Sequence, residues 1–134
     1  MIIFWGMLGY LDDYKKFYIK ASKMLRKNGS ISIFASFNET DYDTNIRYKK
    51  NHSKKFLNPG LSTFSLKSHN QYLKKKLKMQ LNVERFKMSS VLKKNKKNTF
   101  QSYSLGKNNE LLVNDLNLMF RFYHISAKKN LNFS

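Results

Sequence analysis

At 134 residues the chain is long enough for one domain whose core hides about two thirds of the unfolded surface. Its 41% hydrophobic and 15% aromatic content argues against a disordered polymer, and zero cysteines exclude disulfides, thiolate nucleophiles and cysteine-ligated zinc together. The formal charge of +18 points by sign to an anionic partner, but only Arg26, Arg47, Arg85 and Arg121 among the 26 basic residues carry the planar fork suited to reading bases.

The opening run Ile2-Ile3-Phe4-Trp5, within residues 1 to 8, reads as a buried strand. The apolar stretch to Leu11 is about half as long as a membrane helix, Asp12-Asp13 end it, and no basic segment precedes it, so we expect a soluble cytoplasmic protein. Asp12 to Lys27 follows as a helix: Tyr14, Phe17, Tyr18, Ala21, Met24 and Leu25 share a face, with Lys15, Lys16, Lys20 and Lys23 mostly opposite. Asp12 and Asp13 suit the positive end of the helix dipole, Arg26 and Lys27 the negative end, and Asn28-Gly29 supplies a left-handed exit. A second apolar strand, Ser30 to Ser36, completes a β-α-β unit whose crossover implies parallel pairing. Ligands of such sheets sit beyond the carboxyl ends of strands, where the turn from Trp5 to Tyr10 falls.

Phe37 to Ser65 reads as a long polar connection ending near the turn signal Asn58-Pro59-Gly60. A loop of that length suits either a cover over a site or a solvated insertion, and Tyr42, Tyr48, His52 and Phe56 are its residues of interest. Leu66 to Met79 is helical, capped by Ser65 or Ser68, with Lys74, Lys75, Lys76 and Lys78 crowding its end. Leu81 to Met88 alternates at period two and predicts a half-buried strand. Lys93 to Asn98 is a basic loop, Thr99 to Leu105 a further strand bounded by Gly106-Lys107-Asn108-Asn109, and Glu110 to Met119 fits helix or strand. Phe120 to Ala127 is the last strand, and the final residues fray. The charge is uneven: residues 1–48 hold seven Lys/Arg against five Asp/Glu, residues 49–107 sixteen against one, and residues 108–134 three against two.

The sequence Phe4-Trp5-Gly6-Met7-Leu8-Gly9-Tyr10-Leu11-Asp12-Asp13, then Leu25-Arg26-Lys27-Asn28-Gly29 and Ile31-Ser32-Ile33-Phe34, resembles the fourth strand, following helix and fifth strand of class I S-adenosylmethionine-dependent methyltransferases. Phe122 to Lys129 is similar to the family's last strand. The resemblance implies an α/β fold with a partial Rossmann-like sheet, in which Phe4, Trp5, Gly6 and Met7 border the methionine part of S-adenosyl-L-methionine. It also implies a substrate-side place for Tyr42 and Tyr48 in a covering loop. The family's glycine-rich loop and its ribose-holding acidic residue have no counterpart here. We therefore expect residues 1–134 to be a single domain, the C-terminal portion of such a fold, inactive alone and acting with a small-molecule substrate. A partner chain supplying the N-terminal half is a further expectation, and the outer edge of the first strand is then exposed.

Methyl transfer from a sulfonium is an in-line displacement in which alignment carries much of the rate, so a base is optional. His52 is the candidate base, whereas His69 and His124 read as surface or packed histidines, and no metal pattern is present. Two alternatives use the lysine-rich middle: a small basic RNA-binding module, or one half of an RNA methyltransferase.

Overall fold

The computed structural model describes residues 1–57, 60–105, 111–116 and 118–129. In chain order its elements are β1 (Ile2–Trp5), a 3-10 turn at Leu8–Tyr10, α1 (Tyr14–Met24), β2 (Ser30–Asn38), β3 (Thr44–Ile46) and β4 (Leu61–Ser65). There follow α2 (Leu66–Gln71), a π-helical turn at Tyr72–Lys76, β5 (Met79–Arg85), β6 (Tyr103–Leu105), β7 (Leu111–Val113), β8 (Met119–Phe120) and β9 (Phe122–Lys129).

Strand β2 is the spine. β1 runs parallel to it from the Ile2–Ile31 pair to the Trp5–Phe34 pair, as the crossover predicts, and the Gly6 N–H closes that ladder on Phe34 O at 2.8 Å. Farther along the same edge β4 also pairs in parallel, at Phe37 and Asn38. The other edge takes β9 antiparallel over seven residue pairs, and β5 lies antiparallel outside β9. The result is a mixed six-stranded sheet, β3-β4-β2-β9-β5 with β1 beside β2, within an α/β fold that has few helices. A separate small sheet joins β6, β7 and β8.

Alternation along β2 turns Ile31, Ile33, Ala35 and Phe37 to one face, where they meet Phe4, Ile125 and Ala127 from the neighbouring strands. Both helices cover this face. Phe17 of α1 stacks on Phe4 at 4.0 Å, and His69 of α2 lies 4.6 Å from the Phe37 ring, centroid to centroid. The opposite face carries Trp5, Ser32, Phe34, Phe122 and His124, with no helix over it among the described residues.

Several boundaries differ from the sequence reading for identifiable reasons. Helix α1 is shorter than Asp12 to Lys27 because Asp13 is the cap, its Oδ1 accepting from the Lys15 N–H at 2.8 Å, and Leu25 already leaves in extended backbone. Met24 ends the helix and is 77% exposed, so it does not belong to the packed face. The left-handed exit is made by Asn28, at φ +64°; Gly29 is needed for close approach, since a Cβ there would lie 2.8 Å from Arg26 O.

The largest departure is Phe37 to Ser65. The structure extends β2 to Asn38 and folds part of the expected loop into the hairpin β3–β4. Its polar composition hid this, because its short Asn, Asp, Ser and Thr side chains take part in the hydrogen bonding. Asn45 Nδ2 donates to Ser62 Oγ at 2.8 Å, Asn38 Nδ2 to Thr63 O at 3.2 Å, and the Ser65 N–H to Asp43 Oδ1 at 2.7 Å. Asn58 and Pro59 of the predicted turn lie outside the described residues.

The helix expected at Leu66 to Met79 is α2 plus the π-helical turn, with Ser65 as cap and Lys78 at φ +53° as its stop, so β5 begins at Met79 rather than Leu81. Glu110 itself is outside the described residues, but the ambiguous segment after it resolves as β7, a turn on Asn114 Oδ1, and β8. The glycine-containing boundary at 106–109 and the chain end at 130–134 are likewise outside them. No helix among the described residues is long and apolar enough to cross a membrane.

Candidate functional site

A cavity of about 280 Å³ opens at the carboxyl ends of β1 and β2. Its origin is a gap in the sheet. β1 leaves β2 after Phe34 and β4 joins only at Phe37, so Ala35 and Ser36 have no ladder partner on that edge and line the cavity with Gly6, Ser62 and Thr63. Gly6 turns the chain away at φ +71°, a conformation that side chains resist. Gly9 permits close packing, since a Cβ there would stand 2.9 Å from the Leu61 side chain.

Chemically the cavity is apolar with a few hydroxyls, and no charged side chain lines it among the described residues. Ser36 Oγ is buried without a hydrogen-bond partner, so one polar atom is left to be satisfied here. Such a space accepts a small neutral or mostly apolar group and offers one hydroxyl to position it. Among the described residues that line it, no hydroxyl has a His, Asp or Glu beside it to act as a base.

At the same end of the sheet, Glu39 accepts a hydrogen bond from the Tyr123 hydroxyl and faces Arg121 Nη1 at 3.4 Å and Arg85 Nη1 at 3.6 Å. The hydroxyl and the two guanidinium groups hold this carboxylate below its usual range against the opposing effect of burial. Burial first, and Glu39 second, push Tyr123 up to about 12. This clasp ties β2 to β9 and β5.

Of the residues expected near a cofactor, only Gly6 lines the cavity. Phe4 is in the core against Phe17 and Tyr18. Trp5 lies on the uncovered face with its Nε1–H donating to Ser32 Oγ at 3.2 Å, and Met7 is exposed. Tyr42 is 76% exposed, and its carbonyl accepts from Asn38. Tyr48 packs on Phe100, ring centroids 5.4 Å apart, and His52 sits in an exposed turn; neither lines the cavity. His69 is fully buried, and its Nε2 meets the Tyr18 hydroxyl at 2.9 Å. Ser36, Ser62 and Thr63 were not singled out by sequence, since hydroxyl residues in a stretch read as strand end and loop give no chemical signal.

Comparison with protein-family models, curated proteins and solved structures finds no match.

The cavity's own residues therefore decide which group it fits. S-adenosyl-L-methionine needs acceptors for its ribose hydroxyls and its ammonium, and among the described residues no carboxylate lines this cavity. Gly6, Ala35 and Ser36 suit close approach of one end of such a molecule only. Among the described residues no cluster of His, Asp and Glu suits a metal ion.

Proposed function

We propose that the chain forms the C-terminal wall of a Rossmann-like sheet of the class I S-adenosylmethionine-dependent methyltransferase kind, and that by itself it neither holds the cofactor nor transfers methyl groups. One observation carries this reading. The segments that resemble the family's fourth, fifth and last strands are three adjacent strands, β1, β2 and β9, with the first two parallel and a cavity at their carboxyl ends. The order of a doubly wound sheet supports it further, since a fourth strand is flanked by the fifth and the first, and β1 has β2 on one side and no strand on the other among the described residues. In this reading Gly6 and Ser36 face the cofactor, a second segment or chain brings the glycine-rich loop and the ribose acceptor, and the acceptor substrate is a small molecule.

Calorimetry tests the reading directly. Titrating the purified chain with S-adenosyl-L-methionine should give no saturable heat at micromolar concentrations, and micromolar affinity overturns the proposed division of the site. Mapping the transcript across the coding region provides the positive arm. In-frame codons for an apolar strand followed by a glycine-rich turn are expected upstream, or in a co-transcribed frame; finding neither overturns the family reading.

A further inference from the structure

The uncovered face of the sheet carries a groove of about 410 Å³ bounded by Trp5, Phe34, Phe86 and His124. These four come from β1, β2, the residue after β5, and β9, and only the fold brings them together. Phe122 lies nearly parallel to Phe34, with centroids 5.3 Å apart and planes at 9°. Phe86 stands at 89° to Phe34 at 5.1 Å, and Trp5 is tilted by 60° at 6.2 Å. The arrangement is a flat aromatic floor with two raised rings beside it.

The rings are held in place. Trp5 Nε1–H donates to Ser32 Oγ, and the Ser32 hydroxyl meets His124 Nε2 at 2.9 Å, which fixes the indole over the sheet. Even so Trp5 is 59% and Phe86 41% exposed. A fixed, exposed aromatic surface loses little side-chain freedom when a planar group settles on it. Among the described residues no acidic side chain bounds the groove. The nearest acid by register is Glu84, paired with His124 across the ladder and held by Asn82 Nδ2 at 2.7 Å; it is the one acidic residue between positions 49 and 107, against sixteen Lys/Arg.

We infer that this groove stacks the bases of a single-stranded nucleic acid while lysines hold its phosphates, Lys128 among them, which shares this face by its pairing with Ser30 two rungs from Ser32. Aromatic rings displayed on a sheet serve unpaired bases of any sequence, because every base has a π-face. Lysine suits this task as a point charge, whereas arginine is the residue for reading base edges, and the chain has 22 of the former and 4 of the latter. A duplex hides its base faces and cannot use the rings. The inference does not draw on the methyltransferase reading: Trp5, Phe34, Phe86 and His124 do not line the cavity beside Gly6, and the two sites adjoin at Phe122, which stacks under the groove and lines the cavity.

Trp5 is the single tryptophan, so its fluorescence reports on the groove itself. We expect saturable quenching by oligo(U) and oligo(dT) of about 12 nucleotides, with affinity that falls as salt rises. The ratio of the two affinities separates RNA from DNA as the source. Replacing the exposed Phe86→Leu keeps apolar bulk and removes the π-face, and should weaken binding roughly fivefold to a hundredfold with an unchanged circular dichroism spectrum. Absence of quenching at low salt overturns the inference. So does binding that Phe86→Leu leaves intact, which would assign it to lysines alone. A blue shift of Trp5 with rising protein concentration and no oligonucleotide would give the groove to a second copy, and likewise overturns it.

Discussion

His69 is a residue whose chemistry the core constrains. Burial lowers its pKa from 6.5 to about 4, against the opposing effects of the Asn70 hydrogen bond and of Asp43. Its contacts suit the neutral ring: Nδ1–H donates to Asn70 Oδ1 at 3.3 Å and Nε2 accepts from the Tyr18 hydroxyl. Because the folded pKa lies below the unfolded one, the unfolded chain binds the extra proton first as pH falls. Stability contributed by the neutral ring is thus complete above about pH 6.5 and drains away toward pH 4, by roughly 3 kcal/mol. Urea titrations at pH 7 and pH 4.5 should show that loss, and His69→Phe should flatten the part of the profile between them. Sequence placed His69 among packed or surface histidines but gave no means to choose. The choice depends on Tyr18 and Phe37, residues 51 and 32 positions away, meeting it in space.

Among the elements, α1 was the most legible. Its apolar spacing, acidic start and Asn-Gly end each point to the same object, and the structure corrects only its ends. The cap gives a direct check: Asp13→Ala should destabilise the protein by about 1 kcal/mol in chemical denaturation, whereas Asp13→Asn should cost less. Strands β1 and β2 were also readable, since apolar runs flanking a helix have few other uses. The hairpin β3–β4 was not. Its residues are those of a loop, and only their pairing with one another and with β2 makes them a strand pair. The aromatic groove was invisible for a related reason, because Trp5, Phe34, Phe86 and His124 follow no spacing along the chain. The cavity was half visible, as its place beyond the first strand followed from topology while Ser36 and Thr63 had no distinguishing pattern.

At the scale of the whole molecule, charge and topology pull in different directions. Lysines concentrate in residues 49–107, which provide the hairpin's β4, α2, β5 and β6, while the core is built chiefly from β1, α1, β2 and β9. Added salt should therefore alter association with polyanions far more than it alters folding. The outer edge of β1, with Ile3 and Trp5 exposed, has no strand beside it among the described residues and is, like those of β3 and β5, an edge of this sheet open to another strand.

Strand β2 touches β1, β4 and β9, and these reach β3 and β5 in turn, whereas β6, β7 and β8 share no ladder with it. Every rung of the larger array thus leads back to nine consecutive residues, which makes that array one cooperative unit and leaves the three short strands to open by themselves. Amide deuteration should separate accordingly: protons of Ile31, Ile33 and Ile125 should exchange last and together, and those of Tyr103 to Leu105 should exchange early and at rates unrelated to them. A single shared rate for both groups would mean that the two sheets melt as one.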